Sequence, residues 1–432
     1  MTTVSVSPIS ASATGAAVAP RSGSAAASAF PPPPPNWYEG LDSFEGVPDL
    51  DIFSPRKKPD EQGALARRGH QALDWLGVIA PGVLMAFALA YLGYVLSIVL
   101  GHLMHYEKSP ISPIMLAVVL GLLVRNTVGV PKAYEPGLRL CLKTVLRLGI
   151  VLLGLGLGVQ AVAKTGLIAI PIIACCIATA LIAVTFINRA LGLPKRLGTL
   201  IAVGTSICGV SAIVATAPVI EAEDDETSYA VACITIFGLI ALFTYPLFAH
   251  WMFTNNAQVG TFLGTAIHDT SQVAGAGLAY SQQFHAKEAM DTAIVVKLVR
   301  NVSMGLLIPL MALLYRRSTG EGGRHVKQRW HQVVPLFVIG FVGMACLRSI
   351  GDINTARAFG MLDRGSWHGM IDGAAWIAPW LLATAMGAVG LGTGLAKLRG
   401  LGWKPFSVGL AAALMVGGVS LSLVKLLGPL VH

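Results

Sequence analysis

Eleven apolar segments, each about long enough to cross a bilayer, succeed one another near residues 73–103, 111–128, 138–160, 165–189, 197–220, 228–253, 257–281, 290–315, 331–350, 372–395 and 404–430. About 20 helical residues span the hydrocarbon core, and a chain crossing it must satisfy its backbone within helices or a closed barrel. The expected fold is an all-α, polytopic membrane protein of about eleven transmembrane helices. With 54% hydrophobic and 12% charged residues in 432, several soluble domains are excluded.

The formal charge of +9 would suggest nucleic acid in a soluble protein. Here the basic residues alternate loop by loop, as membrane orientation requires, so no nucleic-acid partner is expected. Arg125, Lys132 and Arg139 follow the second segment, Arg189, Lys195 and Arg196 the fourth, Arg316 to Arg329 the eighth, and Lys397, Arg399 and Lys404 the tenth. The intervening loops carry little positive charge, and Glu221 to Glu226 (EAEDDE) reads as a solvated outer connection. This pattern places the amino terminus in the cytoplasm, with Arg357 and Arg364 as exceptions on the outer side. Residues 1–70, rich in Ala, Ser and Pro, read as a disordered cytoplasmic tail before a membrane domain over 71–432. The six cysteines show no CxxC spacing, so neither a disulfide framework nor a metal site is expected, and no cofactor is implied.

Within the seventh segment stands GTAIHDTSQVAGAG, from Gly264 to Gly277, which sets His268, Asp269, Thr270, Ser271 and Gln272 at mid-bilayer depth. Charged groups there normally face a cavity, a partner or a substrate. GTSICGVSAI from Gly204 matches this stretch at Gly, Thr, Ile and Ser, so two broken helices are expected to meet at the midplane. LGLGVQAVAKTG from Leu155 and VGLGTGLAKLRG from Val389 add a second match, between segments crossing in opposite directions. Together they suggest an inverted repeat with discontinuous helices, or the shared composition of Gly-rich membrane helices.

The eighth segment adds Lys297 and Arg300, three apart on one helical face. An ammonium and a guanidinium, with hydroxyls and helix N–H groups, can hold a carboxylate, sulfonate or sulfate; Lys297 can also snorkel to headgroups. Thr205, Ser206, Thr265, Ser271 and Gln272 are the expected polar contacts to such an anion. Asp269, with His268 beside it, is expected either to carry a coupling proton or help hold a cation, or to be the ion-pair partner of Arg300 or Lys297.

On GTSICGVSAI with ATAPVI, on His268, Asp269 and Gln272, and on Lys297 with Arg300 in KLVRN, the chain resembles the YeiH-type membrane protein family, described as sulfate exporters. The likeness covers about residues 75–430. It implies an inverted-repeat carrier with crossed, discontinuous helices, similar to bile-acid:sodium symporters and cation:proton antiporters. The expected function is secondary transport of a small anion such as sulfate or an organic sulfonate or carboxylate, coupled to a proton or sodium, across a bacterial inner membrane. A homodimer is one assembly open to such a carrier, and the sequence does not fix the oligomeric state. Rival readings are a passive anion channel and an intramembrane hydrolase using His268 and Asp269 with Ser206 or a metal. The hydrolase lacks an HExxH or GxSxG motif, and no P-loop points to ATP.

Overall fold

The computed structural model describes residues 64–104, 111–319, 335–353, 357–359, 362–394 and 403–427. Its helices are α1 (Ala64–Leu103), α2 (Pro113–Thr127), α3 (Glu135–Leu140), α4 (Leu146–Gly154), α5 (Val159–Ala190), α6 (Lys195–Ser206), α7 (Val210–Thr216) and α8 (Asp224–Met252). They continue as α9 (Asn256–Ala266), α10 (Thr270–Phe284), α11 (Lys287–Val302), α12 (Met304–Thr319), α13 (Leu336–Ile353), α14 (Arg364–Gly392) and α15 (Trp403–Leu427). A π-helical turn, Cys141–Val145, joins α3 to α4, and two two-residue strands, Arg357–Ala358 and Leu362–Asp363, pair antiparallel before α14. The all-α expectation holds. Most of the expected tail lies outside the described residues, but 64–70 already belong to α1.

The expected span 197–220 does not cross. Gly204 in α6 packs against Ile213 in α7, which a helix running straight through would hold more than 10 Å apart at 1.5 Å per residue. Arg196 at the start of α6 lies 3.9 Å from Glu223 just before α8. The chain therefore enters along α6, turns at 207–209 and leaves along α7 by the face it entered. The acidic segment accordingly sits beside Lys195 and Arg196, not on the opposite face, and it opens a helix. Glu223 caps α8, Glu226 returns a bond to the Glu223 N–H at 3.0 Å, and Asp224 and Asp225 occupy the first turn. Negative charge at a helix amino end is favourable there.

The expected span 257–281 doubles back in the same way from the other face. Gly260 abuts Ala289 and Thr292, and Gly264 abuts Ala293 and Val296, so α9 runs parallel to α11. Beyond the turn, Thr270 meets Asn301 while Gly277 meets Met290, so α10 runs antiparallel to α11. Among the described residues this leaves nine crossings: α1, α2, α3–α4, α5, α8, α11–α12, α13, α14 and α15. Seven of them are long and apolar enough on length and composition alone, α2 is shorter, and α3–α4 is interrupted by its π turn. An odd number of crossings still sets the first and last helices' outer ends on opposite faces.

Packing sorts the helices into two groups. One comprises α1–α4, α13 and α14; the other comprises α5–α12 and α15. They meet chiefly where α10 lies on α2 and α14, and where α5 lies on α13. The outer-face exception at Arg364 is resolved locally, because Asp352 bonds Arg364 at 3.3 Å, Arg348 at 2.6 Å and the Trp367 indole at 3.0 Å.

Single cysteines in a cysteine-free protein test the hairpins. Lys195→Cys and Asp224→Cys are expected to react with an impermeant maleimide from one side of the membrane, and Thr254→Cys and Glu288→Cys from the other. Opposite reactivity within either pair would restore a true crossing.

Candidate functional site

The tips of the two hairpins meet inside the second helix group. Gly209, at φ 73°, precedes α7, and a Cβ there would stand 3.0 Å from Asp269 Oδ2 in the other tip. Left-handed backbone and close approach both call for glycine at this place. The close packing of Gly260 and Gly264 on α11 sets the height of the second tip. Along α11, Ala289, Ala293 and Lys297 form one i, i+4 row, and Thr292, Val296 and Arg300 the next. The small residues of these rows seat α9, and the two cations arrive where α9 ends.

Lys297 and Arg300 are fully buried, at 0% exposure. Lys297 Nζ donates to the carbonyls of Ile207 (3.0 Å), Ile267 (3.1 Å) and His268. Arg300 donates through Nε to Ser206 O (2.7 Å), through Nη1 to Thr265 O (2.7 Å) and Ile267 O (3.2 Å), and through Nη2 to Thr205 O. Each cation thus holds both hairpins. The carbonyls belong to the carboxyl ends of α6 and α9 and the turns beyond them, where the helix leaves acceptors unpaired and partial charge negative.

The remaining expected site residues come together but point to varied partners. Thr205, Ser206 and Thr265 are buried, and their hydroxyls return to the carbonyls of Ile201, Ala202 and Thr261 one turn back; Thr265 also meets Ser420 at 2.6 Å. Asp269 caps α10, its Oδ1 accepting from the Ser271 N–H at 2.8 Å and from the Ser271 hydroxyl. The guanidinium bonds of Arg300 go to carbonyls, so among the described residues Arg300 is not the ion-pair partner of Asp269. His268 is buried with Nδ1 unpartnered. Gln272 donates from Nε2 to Thr235 O at 3.2 Å and lies over Gly238, whose missing side chain makes its space.

Asn301 also belongs to the junction. Its Nδ2 donates to Thr270 Oγ1 at 3.2 Å and its buried Oδ1 has no partner. Its place directly after Arg300 in KLVRN is a weak signal. Asp269, Thr270 and Ser271 are half-buried while the cations behind them are sealed, so the site's accessible side is the amino end of α10. The backbone N–H groups of Thr270 and Gln272 find no acceptor among the described residues. No cluster of three or more metal-ligating side chains occurs among the described residues.

The family model described as conserved hypothetical protein 698 matches residues 81–409. A UPF0324 membrane protein of Bartonella henselae is 30% identical over 354 residues, covering 82% of this chain and 94% of the relative. Another, from Agrobacterium fabrum, is 30% identical over 366 residues, 84% of this chain and 97% of its own. A third, from Fusobacterium nucleatum, is 29% identical over 353 residues, with 80% and 98% covered. No solved structure matches significantly.

Removing the Arg300 guanidinium leaves buried carbonyls in both hairpins without donors. Arg300→Ala is expected to cost about 3–5 kcal/mol by analogy with broken buried charge networks, whereas Ser271→Ala, on the accessible side, should cost about 1 kcal/mol. Thermal unfolding of the purified variants in one detergent checks the order; equal midpoints would show that Arg300 does not hold the tips. Gly209→Ala should also destabilise, by about 1–3 kcal/mol, through a left-handed alanine pressed on Asp269.

Proposed function

Because the chain belongs to the conserved hypothetical protein 698 family and matches bacterial UPF0324 membrane proteins over most of its length, we propose that this membrane protein is a secondary carrier of a small anion. The supporting observation is the meeting of two half-length hairpins from opposite faces at a polar, internally charged junction. Discontinuous helices with their ends at the bilayer midplane are a common way for carriers to build a substrate site.

The charge of the junction favours an anion. Lys297 and Arg300 bring two positive charges and Asp269 one negative charge. Helix ends contribute roughly half a charge each, and here they offset: the carboxyl ends of α6 and α9 against the amino ends of α7 and α10. One positive charge remains, in surroundings where apolar helices screen little. Since the cations spend their N–H groups on carbonyls, the anion's direct contacts in this reading are the Thr270 and Gln272 N–H groups and the Thr270 and Ser271 hydroxyls. Lys297 and Arg300 then act through the field they create and by holding the tips in place.

An anion at the start of α10 lies beside the Asp269 carboxylate, and a proton on Asp269 removes that repulsion. Anion and proton therefore move together in this proposal, with sulfate or an organic sulfonate or carboxylate as the substrate class. The amino terminus is assigned to the cytoplasm of a bacterial inner membrane on the distribution of Lys and Arg.

In proteoliposomes, uptake of a labelled anion from this class is expected to saturate and to be driven uphill by an imposed pH gradient. Equilibration alone would indicate a channel, and no uptake across the panel would remove the carrier reading. Asp269→Asn, normally inserted, should retain binding and lose at least about tenfold of the gradient-driven rate.

A further inference from the structure

The second turn of α11 holds an acid that the tip site does not use. Asp291 is 9% exposed, its buried Oδ1 has no partner, and neither oxygen joins a hydrogen bond or ion pair among the described residues. On the helical wheel it lies away from Ala289, Thr292, Ala293 and Val296, the residues packed on α9. Val295 and Leu298, further along its own face, are 3% and 4% exposed, so this face of α11 is turned into the bundle. A carboxylate ion with no donor is disfavoured in such a place, while the protonated acid carries no charge to bury.

Few groups can answer that charge. On its own helix stand Lys287, one turn back, and Glu288, both exposed at the outer end. From the elements packed on this end of α11, α9 brings no titratable side chain, and α10 brings only Tyr280, bonded to His250 at 3.2 Å. His285 lies in the turn between α10 and α11, Lys164 is exposed in the first turns of α5, and at the end of α13 Arg348 and Asp352 pair with each other. Lys287 and Glu288 lead from the open face to Asp291, and a further six positions, about 9 Å of helix, lead on to Lys297.

We propose that Asp291 is a proton-binding site on α11, taking up and releasing a proton between the face where α11 begins and the tip junction. The acid supplies a second protonatable group for the carrier, and the transport half of its test rests on the carrier reading above. Its proton exchange does not.

Dicyclohexylcarbodiimide provides the direct test on the full-length protein in bilayers. A protonated carboxyl adds to it, the acid proton passing to a carbodiimide nitrogen and the carboxyl oxygen bonding to the central carbon. An oxygen-to-nitrogen acyl shift then leaves a stable N-acylurea, with nothing expelled. Mass spectrometry is expected to find the adduct on Asp291, falling severalfold as the labelling pH is raised, and to find none at this position in Asp291→Asn. Labelling that is absent at every pH, or unchanged across the range, would overturn the proposal. In proteoliposomes Asp291→Asn, with wild-type insertion and thermal midpoint, should lose about tenfold or more of the uptake driven by a pH gradient; wild-type drive would overturn the relay. If the wild type moves no anion, the carrier reading fails while the labelling still decides whether Asp291 exchanges a proton.

Discussion

Carbonyl groups released where a helix turns back inside an apolar bundle must find donors, and here two buried cations provide them. Lys297 and Arg300 make seven hydrogen bonds to the backbone of the two tips, each cation reaching both. Without them, backbone that has left the helical ladder would stand unpaired in a medium that offers no water. The charges are in turn tolerable because their ligands are the negative ends of helices. Each side of the arrangement is costly alone, which is why the positions of α6, α9 and α11 depend on one another.

This mutual dependence starts from residue size. Gly260 and Gly264 let α9 lie against the Ala289, Ala293 row of α11, and the same row delivers Lys297 just past the end of α9. Gly209 then lets the first tip close on Asp269, and Gly238 leaves room for Gln272 between α8 and α10. Small residues at regular spacing are common wherever membrane helices pack closely. At these positions they also decide which polar groups meet.

Much of this was legible in the chain. The matching motifs at Gly204 and Gly264, the intramembrane Asp269 and the Lys297, Arg300 pair all fall at the junction, because charge inside an apolar run is a strong signal. Topology was not legible in the same way. A 25-residue apolar run broken by Gly, Thr and Ser has one hydropathy whether it crosses once or goes halfway and returns. Each arm, α9 or α10, is shorter than the roughly 20 residues a crossing needs, but only contacts such as Gly260 with Ala289 and Gly277 with Met290 reveal the reversal. Side-chain direction was hidden too. The hydroxyls of Thr205, Ser206 and Thr265 turn back to their own helices, a choice local backbone geometry makes for Ser and Thr. The donors of an Arg serve a carbonyl as readily as an anion, so residue type left those two uses open. Asp291 is hidden for another reason: beside Lys287 and Glu288 it has the sequence of a solvated helix end.

The two ways in which such a bundle could change shape differ sharply in what they break. Parting the tips would strip donors from carbonyls of both hairpins at once, in the apolar interior. Sliding the two helix groups past each other would disturb far less polar bonding. Side-chain hydrogen bonds between them include Ser112 to Gln282 at 3.3 Å and the Val159 N–H to Ser349 at 2.8 Å, both close to one face. The rest of the contact is apolar packing of α10 on α2 and α14, with Gly275 against Met386. Apolar surfaces that slide keep most of their burial, because the hydrophobic effect has no preferred direction. The cations therefore make the junction the stiffest part of the second group and leave the boundary between the groups as the softer one.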